Sequence, residues 1–122
     1  MSLNVTLHER MPGIFIVSPV GSLDTNTYMI LKERVDAILK DSPKLIVFDM
    51  EQLEYISSMG VGVIIHAQKE IKKQEGTFKM VNLQPQIKKV FDVIHALPSQ
   101  QVFESVEELD EYLDQMQKPA SQ

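Results

Sequence analysis

Two short polar stretches hold the side chains whose types and spacing can do chemistry in this chain of 122 residues. Ser57 and Ser58 stand together just ahead of an apolar run with helical spacing, and Asp24 follows Gly21-Ser22-Leu23 ahead of another. A hydroxyl in that place has two uses. It can accept a hydrogen bond from a backbone N–H that the first helical turn leaves unpaired. Alternatively it receives a phosphoryl group, whose charge the same donors and the positive end of the helix dipole stabilise. Asp24 is open in the same way, since a carboxylate there either caps the helix that follows or faces a partner. Gly60 and Gly62 read as packing glycines, because no Gly-Lys-Ser/Thr follows them as in a nucleotide-binding loop.

Other chemistries have less behind them. His8, His66 and His95 are dispersed without a second ligand at i+3 or i+4, and the count of Cys is 0, so neither a metal site nor a cofactor is expected. Ile56-Ser57-Ser58-Met59-Gly60 lacks the Gly-x-Ser-x-Gly elbow, which argues against a hydrolase. Glu51, Glu54, Glu104, Glu107, Glu108, Asp110 and Glu111 read as a solvated acidic face. With 12 basic against 17 acidic residues, a formal charge of -5, the chain has no bulk attraction for nucleic acid. No apolar run approaches the roughly 18 residues of a membrane span. The start Met1-Ser2-Leu3-Asn4 lacks a basic segment followed by an apolar one, so the expectation is a cytoplasmic protein with no membrane partner. A hydrophobic share of 43% and a charged share of 24% suit one folded domain.

The elements that must position these residues follow from periodicity. Leu3, Val5 and Leu7 alternate with polar residues as in a half-buried strand, and Pro12-Gly13 supplies a turn. Ile14 to Val17 reads as a second, more buried strand that Ser18-Pro19-Val20-Gly21 brings to an end, giving an antiparallel hairpin. Asp24-Thr25-Asn26 offer caps to a helix marked by Tyr28, Leu31, Val35, Ile38 and Leu39. Leu45 to Phe48 is a strand, and Asp49 to Ser58 a polar stretch broken by Leu53 and Ile56. Val61, Ile64, Ile65 and Ile71 mark the second helix, with Gly76 at its end, and Phe78 to Leu83 a strand. Pro85, Ile87, Val90, Phe91 and Ile94 mark the third helix and Val102-Phe103 a residual edge strand. Ser105 and Glu108 form a capping box for a last helix with the stripe Val106, Leu109, Leu113 and Met116. The order implies an α/β fold, a mixed β-sheet with a parallel core and about four helices packed mainly on one face. Loops at the carboxyl ends of parallel strands share one edge, so Asp24 and Ser58 are expected to be neighbours, with Ser58 solvent-accessible. Met59 is expected to pack inward and turn Ser58 away from it.

In this order and spacing the residues resemble the STAS domains of bacterial anti-sigma factor antagonists. Gly21-Ser22-Leu23-Asp24 is similar to the family's Gly-x-Leu/Ile-Asp, and Ile46-Val47-Phe48-Asp49-Met50 to its third strand. Ile56-Ser57-Ser58-Met59-Gly60-Val61-Gly62-Val63-Ile64 is similar to Met-Asp-Ser-Ser/Thr/Ala-Gly-Leu-Gly-Val-Ile, and Pro85 to Asp92 to the third helix. The resemblance makes residues 3–116 one STAS-like domain and leaves 117–122 as a flexible C-terminal tail. It places the phosphoacceptor on Ser58, with Ser57 as the alternative. Ser57 replaces the family's Asp and Met59 its Ser, Thr or Ala, which removes one negative charge beside the acceptor.

The resemblance implies a partner-switching regulator of sigma-factor-dependent transcription. The unmodified domain would bind an anti-sigma factor that is also a serine kinase. Phosphorylation would release it, and a PP2C-type phosphatase would reset it. Partner contact would run through Asp24, Ser57, Ser58, Met59, Gly60 and the exposed face of the second helix, including Gln68 and Lys72. Such a domain has no catalysis of its own. Two other classes stand beside it: a STAS-like accessory binding a lipid, a nucleotide or a transporter component, with Ser58 only a cap, and an enzyme using Asp24 and Ser58.

Overall fold

The computed structural model describes residues 2–96 and 106–117. Strand β1 (Leu3–Met11) pairs antiparallel with β2 (Ile14–Leu23) through a turn in which Gly13 takes φ 84°. Helix α1 (Tyr28–Leu39) leads to β3 (Leu45–Asp49), which lies parallel to the first half of β2, Ile14↔Leu45 to Val17↔Phe48. A short strand β4 (Leu53–Ile56) then pairs parallel with the second half, Gly21↔Leu53 to Leu23↔Ile56. Helix α2 (Ser58–Lys73) and β5 (Thr77–Val81), parallel to β3, complete the sheet in the order β1-β2-β3-β5. Helices α3 (Pro85–Ala96) and α4 (Val106–Gln117) follow.

The mixed sheet with a parallel core is therefore as expected, with two corrections in its centre. The first is that β2 does not end at Ser18-Pro19-Val20-Gly21 but runs through it to Leu23. Pro19 has no N–H to give to a ladder, and it falls where β2 changes parallel partner from β3 to β4. Gly21 takes φ 110°, and a Cβ there would lie 2.4 Å from the Ser2 carbonyl oxygen, so only glycine carries the strand past this point. The second is β4, which sits inside the stretch read as polar loop; Leu53 and Ile56, both wholly buried, are its anchors. The expected strand at Val102-Phe103 and the cap at Ser105 lie outside the described residues.

One face of the sheet carries the core. Val17, Ile46 and Phe48 point from it toward Leu31 and Val35 of α1 and Ile64, Ala67 and Ile71 of α2, all almost fully buried. The Phe48 and Phe78 rings meet at 5.4 Å and 43°, a tilted contact typical of aromatic pairs. The opposite face is less well covered, with Thr6, His8 and Lys79 exposed and Ile16 and Val47 half-buried. Of the stripe expected on α4, Leu113 is wholly buried; the side chains of Val106, Leu109 and Met116 lie outside those described. Among the described residues no helix is long and apolar enough to cross a membrane.

Candidate functional site

The forked pairing of β2 builds the site. Because β4 runs alongside Gly21 to Leu23, the residues that leave the two strands emerge side by side, and the Ser57 N–H donates to the Leu23 carbonyl at 2.9 Å. Asp24 and the serine pair are therefore adjacent at one sheet edge, as parallel-strand topology requires.

Asp24 shapes the turn into α1. Its Oδ1 accepts from the N–H groups of Asn26 (2.9 Å) and Thr27 (3.1 Å), while its own N–H donates to the Thr27 hydroxyl at 2.9 Å. That hydroxyl lies 2.8 Å from the Ser22 carbonyl, which closes the turn. The N-cap of α1 is thus Thr27, which makes no side-chain cap bond, and Asp24 organises the residues before it. The carboxylate remains half-exposed.

The two serines have different environments. Ser57 is the N-cap of α2, buried, with its hydroxyl accepting from the Gly60 N–H at 3.5 Å and its carbonyl from the Val61 N–H at 3.0 Å. Ser58 is the first helical residue. Its Oγ is sealed from solvent with no hydrogen-bond partner among the described residues, although the residue as a whole is half-buried. This corrects the expectation of an accessible hydroxyl. Met59 does not turn Ser58 away either, because both line a shallow groove of about 240 Å³ between α1 and α2, with Tyr28, Gly62 and His66 among its other walls. The glycines divide: a Cβ on Gly60 would meet Leu23 Cγ at 2.7 Å and Ile56 Cγ1 at 2.9 Å, whereas one on Gly62 would meet nothing within 4 Å. Gly60 is the packing glycine, and Gly62 opens the groove.

Beyond the groove, Gln68 is half-buried and Lys72 exposed on α2. His66 Nε2 lies 3.1 Å from Asp36 Oδ1, and Lys32 donates to Asp36 Oδ2 at 2.8 Å. That Lys32 bond lowers the Asp36 carboxyl below the ordinary carboxylate value against the opposing effect of burial, with His66 adding to it.

Sequence reasoning missed the contribution of α4. Asp110, read as part of a solvated face, accepts the Ser58 N–H at 2.8 Å. The Tyr55 hydroxyl donates to Asp114. Gln117, read as tail, belongs to α4; its Oε1 accepts from the Ile56 N–H at 2.9 Å and its Nε2 donates to the Ile56 carbonyl at 2.7 Å. Burial first, then the hydrogen bond to Asp114 and the charges of Asp114, Asp110 and Asp24, push the Tyr55 hydroxyl above the usual tyrosine value. The signal was present: Asp110, Asp114 and Gln117 stand at i, i+4 and i+7, one face of a helix.

The sequence profile of the STAS domain matches residues 7–109. The chain belongs to the STAS domain family. Among curated STAS relatives, the anti-sigma F factor antagonist of Paenibacillus polymyxa is 28% identical over 94 residues, covering 76% of this chain and 80% of the relative. The anti-sigma-B factor antagonist of Bacillus subtilis is 27% identical over 93 residues, covering 76% and 84%. The solved structure of the anti-sigma factor antagonist SpoIIAA in its unphosphorylated form is similar with a TM-score of 0.69 at 19% identity, over 89% of this chain and 96% of that one. At that identity the likeness concerns the STAS fold.

Proposed function

We propose that this STAS domain is an anti-sigma factor antagonist, a binding module that works by partner switching and has no catalysis of its own. The observation that carries the reading is the place of Ser58 at N1 of α2, hydrogen-bonded through its neighbour to the strand end that bears Asp24. The unmodified edge, with Asp24, Met59, Gly60 and the outer face of α2 through Gln68 and Lys72, binds an anti-sigma factor serine kinase. On docking, the kinase gains access to the Ser58 Oγ, which is sealed in the unbound domain, and moves the γ-phosphoryl group of ATP to it. The hydroxyl proton leaves to a kinase base and ADP departs. About two negative charges then stand within the interface beside Asp24 and Asp110, and repulsion with desolvation lowers affinity. A PP2C-type phosphatase hydrolyses the ester and restores the hydroxyl.

Incubation with candidate serine kinases and ATP, followed by mapping of the modified residue and titration of the same kinase, tests this reading. Label on Ser58 and a loss of affinity of about tenfold or more in Ser58→Asp support it. Equal binding of wild type and Ser58→Asp ends the switch. Binding of a lipid, a nucleotide or a transporter component, with no label, replaces it by the accessory reading.

A further inference from the structure

Helix α4 reaches the acceptor edge with polar groups as well as with Leu113. Asp110 takes the Ser58 N–H, Asp114 the Tyr55 hydroxyl, and Gln117 both polar backbone groups of Ile56. The first of these is the most consequential. The N–H of the first helical residue is one of the donors that a helix start offers to an anion, and here a carboxylate of the same chain already holds it. A phosphoryl group on Ser58 hangs from the residue that owns this N–H. The segment 106–117 contributes five acidic residues and no Lys or Arg, so the two groups compete for one donor and repel each other as well.

We infer that α4 is a self-bound occupant of the acceptor edge: docking of Asp110 at the Ser58 N–H and an anionic group on Ser58 exclude each other, so modification of Ser58 releases α4. The inference rests on the reading of Ser58 as phosphoacceptor. It adds a second output to the switch, because release of α4 frees the Ile56 backbone groups and the Tyr55 hydroxyl at the same moment as the charge appears.

Hydrogen exchange of the full chain, followed over residues 106–117, tests this without a kinase. Phosphoserine is installed at position 58 by co-translational incorporation. The expected result is that α4 amides exchange about tenfold faster than in wild type, the scale set by losing one charge-assisted hydrogen bond, while Ser58→Ala leaves them unchanged. In Asp110→Ala the α4 amides already exchange faster, and phosphoserine adds less than it does in wild type. In Gln117→Ala, which loosens α4 without touching the anion position, phosphoserine keeps its full effect. Circular dichroism and denaturant melts of each variant establish that the sheet is intact. Unchanged α4 exchange with phosphoserine, or a phosphoserine effect as large in Asp110→Ala as in wild type, overturns the inference. A responsive α4 in a chain that no kinase labels leaves the exclusion standing and removes the functional reading instead.

Discussion

The Asp110 carboxylate lies 2.8 Å from the backbone nitrogen of Ser58, so the last helix supplies an anion to the first turn of α2. The pairing joins residues 52 positions apart and ties the end of the chain to the edge where Asp24 emerges. It also means that α2 is capped twice from different directions, by Ser57 within its own segment and by Asp110 across the fold. A helix start served in this way has a smaller vacancy for an outside anion than an uncapped one.

The two glycines of α2 make opposite predictions. Gly60→Ala places a methyl within 2.7 Å of Leu23 and 2.9 Å of Ile56, side chains that are wholly buried and cannot withdraw. It should destabilise the domain by about 2 kcal/mol. Gly62→Ala meets nothing within 4 Å and replaces a helix-interior glycine, so it should stabilise by about 0.5–1 kcal/mol. Urea midpoints of the two variants must move apart; a loss of stability in Gly62→Ala contradicts the open groove.

Tyr55 gives a pH prediction with a definite sign. Its hydroxyl is raised above the ordinary 10.0, so the folded state holds this proton more tightly than the unfolded chain. The stabilisation is complete below that ordinary value and declines as pH rises beyond it. Urea titrations between pH 9 and about 11 should show the wild-type midpoint falling more steeply than that of Tyr55→Phe, which lacks the proton. Parallel curves would exclude the contact with Asp114.

Asp36 acts at the other end of the scale. Its carboxyl is lowered by the hydrogen bond from Lys32, so its contribution is present above the ordinary 3.8 and is lost as pH falls through and below that value. The carboxylate and the Lys32 ammonium are both more than a third exposed, so solvent screening keeps the effect small. Asp36→Asn should therefore flatten the acid limb of the stability profile only slightly, and more at low salt than at high salt. A large loss at neutral pH would mean that the link from α1 to His66 carries more than its geometry suggests.

Asp24 separates structure from charge. Asp24→Ala removes the acceptor for the Asn26 and Thr27 N–H groups and should cost about 1 kcal/mol. Asp24→Asn keeps an oxygen in place and should cost less, while removing the negative charge from the edge. A binding titration against the partner kinase then shows which property matters. Loss of affinity in Asp24→Asn with stability preserved assigns the residue to partner contact as well as to the turn.

The layers of the fold were legible because each rests on a strong periodic signal. Val17, Ile46 and Phe48 belong to apolar runs, and Leu31, Val35, Ile64 and Ile71 recur at helical spacing. The adjacency of Asp24 and Ser58 followed from topology alone. What escaped was decided between segments remote in sequence. Pro19 and Gly21 look like a strand end because their local preferences say so, yet the exchange of parallel partners on β2 accommodates both. Asp110 looks like a solvated residue and Gln117 like the start of a tail because nothing nearby in sequence shows that α4 docks on Tyr55, Ile56 and Ser58. The sealed Ser58 hydroxyl escaped as well, since helix-start position predicts the environment of its N–H and not what lies over its side chain.

The choice between the two serines can now be made on stability as well as on labelling. Ser57 is the buried N-cap whose hydroxyl faces the Gly60 N–H, so Ser57→Ala should destabilise by about 1 kcal/mol. Ser58 Oγ has no partner and is sealed, so Ser58→Ala gives up no hydrogen bond and should be neutral or slightly stabilising. Ser57→Asp keeps an acceptor at the cap and sets a negative charge at the positive end of the α2 dipole, which the helix tolerates. With the cognate kinase, Ser58→Ala should therefore fold well and take no label, whereas Ser57→Asp should still be labelled at Ser58. Phosphopeptide mapping of both variants alongside their urea midpoints decides the matter. Label that persists in Ser58→Ala and vanishes in a folded Ser57→Ala would transfer the acceptor to Ser57, and a destabilised Ser58→Ala would mean that its hydroxyl finds a partner in solution after all.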